Sequence, residues 1–67
     1  MLTVFINGQE QETPDGVTVL GLLETMGVRP GRVAVEVNGA VVRRADFPRR
    51  SLADRDRVEV VQFVGGG

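Results

Sequence analysis

The sequence predicts an α+β fold in which one short helix lies across one mixed β-sheet. Three observations predict it. Asn-Gly pairs at Asn7-Gly8 and Asn38-Gly39 each sit between strand-like runs; "TVLGLLETMG" (18–27) between them carries helical spacing; and a last alternating run, "RVEVVQFV", closes the pattern at 57–64. A helix and a sheet that each have one apolar face bury those faces best against each other, which gives two layers.

The first strand is read in "LTVFING" (2–8), where Leu2, Val4 and Ile6 share one face and Thr3 and Phe5 the other. Asn7 and Gly8 both tolerate the positive φ of a type I′ turn, so the chain folds back there into a hairpin. The return strand "QEQET" (9–13) is wholly polar, which suits an exposed sheet edge, where charge discourages further pairing.

"PDG" (14–16) is a turn, and the helix follows. Thr18 is the expected N-cap, Val17 and Leu22 form a hydrophobic staple, and Gly27 stops the helix at C′. Val19, Leu22, Leu23 and Met26 recur at i, i+3, i+4 and i+7 and would cover one face of the sheet. Gly21 weakens the helix by roughly 1 kcal/mol relative to alanine, so packing has to hold it.

"RVAVEVNGAVVRR" (32–44) repeats the hairpin, with Val33, Val35 and Val37 pointing inward and Asn38-Gly39 at the turn. Residues 45–52 contain Pro48 and show no period, so they read as a crossing loop with at most a short turn. "ADRD" (53–56) is a turn into the last strand. The order is ββαββ, a helix between two hairpins, with the final strand after them; residues 1–64 form one domain and 65–67 a flexible tail.

Composition excludes several kinds of chemistry. The 67 residues contain no cysteine and no histidine, which removes the thiolate nucleophile, the usual general base and the commonest metal ligands. A net charge of −1 gives no reason to expect nucleic acid or an anionic membrane as a partner. Apolar runs are too short for a membrane span, and the reading is a cytoplasmic protein that is monomeric when free. All 8 basic residues are arginine. Asp54 and Asp56 are the nearest approach to a catalytic carboxylate pair, but they read better as a solvated turn, and no enzyme active site or metal site is expected. The pairs Arg43-Arg44 and Arg49-Arg50 read as a basic patch or as plain solubility charge.

The last strand and the tail hold the strongest indications. If Val58 and Val60 face the core, alternation sends Glu59, Val61 and Phe63 to the opposite face, where Phe5 also falls. No internal layer covers that face, so Phe5, Val61 and Phe63 would form an apolar patch of the kind that marks a partner site. A bulge at Val60-Val61 would instead turn Phe63 back to the core. Both readings are open at the level of sequence. Beyond them, Val64 leads into Gly65, Gly66 and Gly67. Three extended residues reach about 10 Å and, lacking side chains, can enter a channel closed to other peptides. A frayed end is the alternative.

These residues resemble the sulfur carrier proteins of thiamine biosynthesis, the ThiS-like members of the ubiquitin-like β-grasp superfamily. The resemblance covers essentially the whole chain. It rests on the short first hairpin, "TVLGLLETMG", "VAVEVNGAVVRR" and "DRDRVEVVQFVGGG", and is most specific in an apolar strand running straight into a terminal Gly-Gly. It implies a five-stranded mixed sheet in the order 2-1-5-3-4, with strands 1 and 5 parallel in the middle. It implies that an E1-like, ThiF-like activating enzyme adenylates Gly67 with ATP and magnesium, while the carrier itself binds no cofactor and catalyses nothing. Gly65 and Gly66 would thread the enzyme's channel, and Phe5, Val61, Phe63 and Val64 would form the surface it grips. A persulfide donor then supplies sulfur, leaving a thiocarboxylate that a ThiG-like thiazole synthase consumes. Related carriers serve molybdopterin synthesis, tRNA thiolation, cysteine synthesis or thiosugar pathways; ubiquitin-like modifiers and binding-only β-grasp modules share the fold.

Overall fold

The structure is a computed structural model and describes residues 1–63. Its elements are β1 (Leu2–Ile6), β2 (Gln9–Thr13), α1 (Val19–Met26), β3 (Val33–Val37), β4 (Ala40–Val42) and β5 (Arg57–Gln62). The strands form one sheet in the order β2-β1-β5-β3-β4. β1 and β5 run parallel, and every other neighbouring pair is antiparallel. This is the mixed five-stranded sheet expected, with the closing strand inserted between the two hairpins.

Both hairpins turn where the sequence places them. Asn7 and Gly8 hold φ of 50° and 84°, and Asn38 and Gly39 hold 53° and 85°. Both central residues therefore sit at the positive φ that a type I′ turn requires. β2 lies at the sheet edge with Gln9 to Glu12 exposed, and only Thr13 is buried.

The helix is closed at both ends. Thr18 Oγ1 accepts from the Gly21 N–H at 3.1 Å. The Val19 N–H donates to the carbonyl of Arg50 and the Leu20 N–H to that of Phe47, each at 2.9 Å. Three donors that a helix start leaves unpaired are thus satisfied, two of them by a distant loop. At the other end Gly27 adopts φ 74°, and the N–H groups of Gly27 and Val28 return to the carbonyls of Glu24 and Leu23 at 3.1 and 3.2 Å. That is a Schellman closure, which a residue with a Cβ would strain.

The core lies between α1 and the sheet. Val19, Leu22 and Leu23 meet Val4 and Ile6 of β1, Val33, Val35 and Val37 of β3, and Val58 and Val60 of β5. Each such side chain contributes roughly 1.5–3 kcal/mol on burial. Residues 45–52 do more than cross. A 3₁₀ turn spans Arg44–Asp46, and the following Phe47, 2 % exposed, is the largest fully buried side chain described. Leu52 is buried as well. A single loop residue that plugs a core leaves no periodic trace in sequence, which is why the segment reads as plain loop.

Candidate functional site

β5 carries the chain through the centre of the sheet toward Val64 and the three glycines. Residues 64–67 lie outside the described residues, and with them the expected place of Val64 on the partner surface, the tail role of Gly65 and Gly66, the reactive position of Gly67 and the tail's flexibility. What the structure does fix is the strand that delivers them.

On one side β3 holds β5 along its whole length. The pairing runs without interruption from Val37↔Val58 to Val33↔Gln62. The Phe63 N–H then donates to the Arg32 carbonyl at 2.9 Å, one step further in the same register. An unbroken register has no extra residue at Val60-Val61, so no bulge turns Phe63 inward. Val61 and Phe63 are 60 % and 57 % exposed, on the face that α1 does not cover.

On the other side β1 pairs only as far as Phe5↔Arg57 and Ile6↔Val58 before it turns away. Asn7 then continues the ladder with its side chain. Its backbone N–H donates to the Val58 carbonyl at 2.9 Å. Its Oδ1 accepts from the Val60 N–H at 2.8 Å and its Nδ2 donates to the Val60 carbonyl at 3.1 Å. The carboxamide thus stands in for a peptide unit where strand β1 has ended. Asn38, from the other hairpin, accepts from the Arg57 backbone N–H and donates to the side-chain Oδ1 of Asp56, both at 2.9 Å. Sequence reasoning assigns both asparagines to turns only. Their second role depends on which strand lies beside each turn.

Phe5 shares the uncovered face with Val61 and Phe63 but stands apart from them. Phe5 is half-buried and lies opposite Arg57, so Val61 is four residues further along β5. At about 3.3 Å per residue this is about 13 Å, with Glu59 between. Neighbouring strands do not make neighbouring side chains when the register is offset. Val41 of β4, 71 % exposed, lies on the same face. It pairs across to Glu36, while Ala34 pairs with Val61, and these residues share one surface depression with Glu59.

The charged residues singled out in the sequence mostly shape loops. Asp54 Oδ1 accepts from the Thr3 N–H at 2.8 Å. Asp56 is buried and, besides Asn38, accepts from the Ala53 N–H at 2.8 Å. The two carboxylates close the turn into β5 and tie it to β1. Arg43 and Arg49 both reach Asp46, at 3.2 and 3.9 Å. Arg50 donates to the Ser51 carbonyl. The Arg44 guanidinium lies over Gly31, where an added Cβ would stand 2.6 Å from Nη1. Among the described residues no group of three or more His, Cys, Asp or Glu side chains is arranged to hold a metal, and no helix is long and apolar enough to cross a membrane.

One helix on a mixed five-stranded sheet, with β1 and β5 parallel at its centre, defines a β-grasp protein. Comparison with known proteins narrows the class. The model of the ThiS family matches residues 4–67, and the chain belongs to that family. It is 39% identical over 64 residues to the sulfur carrier protein ThiS of Thermus thermophilus, covering 96% of this chain and 98% of that one. It is 41% identical over 66 residues to a thiazole synthase of Magnetococcus marinus, covering 98% of this chain and 20% of the relative. The chain thus spans about a fifth of the length of that thiazole synthase and of a second one, from Paramagnetospirillum magneticum. Among solved structures, the crystal structure of the thiamine biosynthesis protein ThiS from Geobacter metallireducens superposes with a TM-score of 0.84 at 32% identity, covering 98% of this chain and 100% of that one.

Proposed function

We propose that the chain is a sulfur carrier of thiamine biosynthesis whose cargo rides on the α-carboxylate of Gly67. Membership of the ThiS family carries the reading, and a central strand aimed at a glycine tail supports it. In this reading an E1-like activating enzyme holds ATP and magnesium. A Gly67 carboxylate oxygen attacks the α-phosphorus, pyrophosphate leaves, and an acyl-adenylate forms. The terminal sulfur of a partner's cysteine persulfide then attacks the acyl carbon and AMP leaves. A thiol cleaves the resulting S–S bond, the donor departs as a disulfide, and the carrier retains a thiocarboxylate. Two relatives named thiazole synthase contain a stretch similar to this chain, which supports thiazole synthase as the acceptor enzyme.

The chain is then a co-substrate, and its own residues do mechanical work. β3 holds β5 as far as Gln62 and the Asn7 carboxamide holds it at Val60, which fixes the strand that precedes the tail. Ordering three glycines inside a channel costs about 1–2 kcal/mol each, which contacts around Val61 and Phe63 would offset.

The test is mass spectrometry after incubation with the activating enzyme, ATP, magnesium and a persulfide donor. The wild-type protein should gain one sulfur in place of one oxygen. Deleting Gly67, or appending one residue after it, should abolish that gain, and Gly66→Ala should reduce it more than Gly65→Ala. An unchanged wild-type mass with an enzyme of demonstrated activity, or full transfer by the appended variant, overturns the reading.

A further inference from the structure

An activated Gly67 is an electrophile, first as the acyl-adenylate and then as the acyl group on the donor's sulfur. Either form is open to any amine within reach. The amine nitrogen would attack the acyl carbon, AMP would leave, one proton would pass to solvent, and the carrier would end as an amide that can no longer take up sulfur. The chain offers such an attack almost nothing. All 8 basic residues are arginine and none is lysine. At a given pH the uncharged, nucleophilic fraction of a guanidinium is roughly 100- to 2,500-fold smaller than that of a lysine amine. The contacts of these arginines do not account for the choice. Among the described residues Arg43, Arg49 and Arg55 each reach a carboxylate through a single nitrogen, as an ammonium also would, and Arg29, Arg32, Arg44 and Arg57 form no ion pair.

Two of the arginines stand where the tail begins. Arg32 lies opposite Phe63, whose N–H donates to its carbonyl at 2.9 Å, and Arg29 and Arg32 line one surface depression with Gln62 and Phe63. The four residues that follow Phe63 span at most about 14 Å. A primary amine at position 32 would therefore lie within the tail's radius, at an effective concentration on the order of millimolar. The α-amino group of Met1 is elsewhere, paired with Asp15 at 3.1 Å. Phe5 of β1 is level with Arg57 of the parallel β5, so Met1 lies four residues behind that level and Phe63 six residues beyond it. At about 3.3 Å per residue the two are roughly 33 Å apart along the sheet, more than twice the tail's span. We propose that the lysine-free surface guards the activated terminus against self-acylation, with Arg29 and Arg32 placing positive charge at the root of the tail without a nitrogen that Gly67 can acylate. The inference rests on the carrier reading, and it adds why that chemistry ends at sulfur and not at an amide of the carrier itself.

The experiment exchanges one cation for another. Wild type, Arg32→Lys and Arg55→Lys are each incubated, in excess over the activating enzyme, with ATP and magnesium but no persulfide donor, and followed by intact mass and peptide mapping. Arg55 is the distant control, in the turn before β5 with its N–H on the Thr3 carbonyl, at the end of the sheet away from the tail. All three proteins should gain one adenylyl group. R32K alone should go on to a species one water lighter than the unmodified carrier, with residue 32 joined to Gly67, at roughly a hundredfold or more above wild type. Its initial rate of formation should rise about tenfold per pH unit from pH 7 to 9, as the ammonium gives up its proton. Arg29→Lys gives the same readout should R32K not fold. Adenylated R32K without the internal amide, or equal internal amide in wild type or R55K, overturns the protection, while the adenylated wild type leaves the carrier reading intact. Absence of adenylated wild type with an enzyme of demonstrated activity overturns both.

Discussion

Replacing Asn7 by glycine isolates the side chain that extends the sheet. Glycine accepts the φ of 50° at this position, so the turn survives and only the carboxamide is lost. Two hydrogen bonds go with it, at 2.8 and 3.1 Å to the N–H and carbonyl of Val60. Val60 is only 7 % exposed, so water replaces them poorly. A net hydrogen bond is worth about 0.5–1.5 kcal/mol, and a stranded buried group about 1–3, so Asn7→Gly should cost about 2 kcal/mol. In a domain of this size that lowers the melting midpoint by roughly 8–16 °C. Asn38→Gly makes a matched control. It also loses two bonds, one from the exposed Arg57 N–H and one to the buried Asp56 carboxylate, so its cost should be similar, about 2 kcal/mol. Urea unfolding followed by circular dichroism gives both values, and amide exchange at Val60 should accelerate in the Asn7 variant alone. If Asn7→Gly stays within about 0.5 kcal/mol of wild type, the carboxamide is not a working rung of the ladder.

Phe63→Asp should change stability by less than about 0.5 kcal/mol, because the ring is more than half exposed, yet weaken binding to the activating enzyme tenfold or more; unfolding of the variant would show that the ring belongs to the core. Phe47→Ala should cost about 3–5 kcal/mol, leaving a marginally stable domain largely unfolded by circular dichroism; a cooperative melt near the wild-type midpoint would refute its place in the core.

Local physics made much of this architecture readable before any coordinates. The Asn-Gly turns, the Thr18 and Gly27 caps and the valine alternation of β3 and β5 each depend on residues a few positions apart, and each appears as expected. Alternation put Val61 outward but left Phe63 open between that face and a bulge into the core, and the unbroken β3–β5 register decides for the outward face. What stayed hidden depends on long-range placement. Phe47 enters the core because its loop docks on the start of α1, a contact without sequence period. Phe5 parts from Val61 because the parallel register is offset, and alternation reports face but never register. The depression shared by Val41 and Val61 required knowing which strands are neighbours.

The adjacency of β1 and β5 also sets a clock on how the protein is made. Asn7 and Val60 are 53 positions apart in sequence, yet the middle of the sheet forms only when they meet. At a synthesis rate of about 5–20 residues per second, β1 waits roughly 3–10 s on the ribosome for its central partner. Helix α1 waits too, since two of its N-terminal N–H groups depend on carbonyls at Phe47 and Arg50. Loop closure over such a span is paid in entropy before any contact rewards it, so no earlier portion gains a stable core of its own. Folding is therefore tied to the arrival of β5, and a nascent chain halted before Arg57 should remain as open to proteases as an unfolded one.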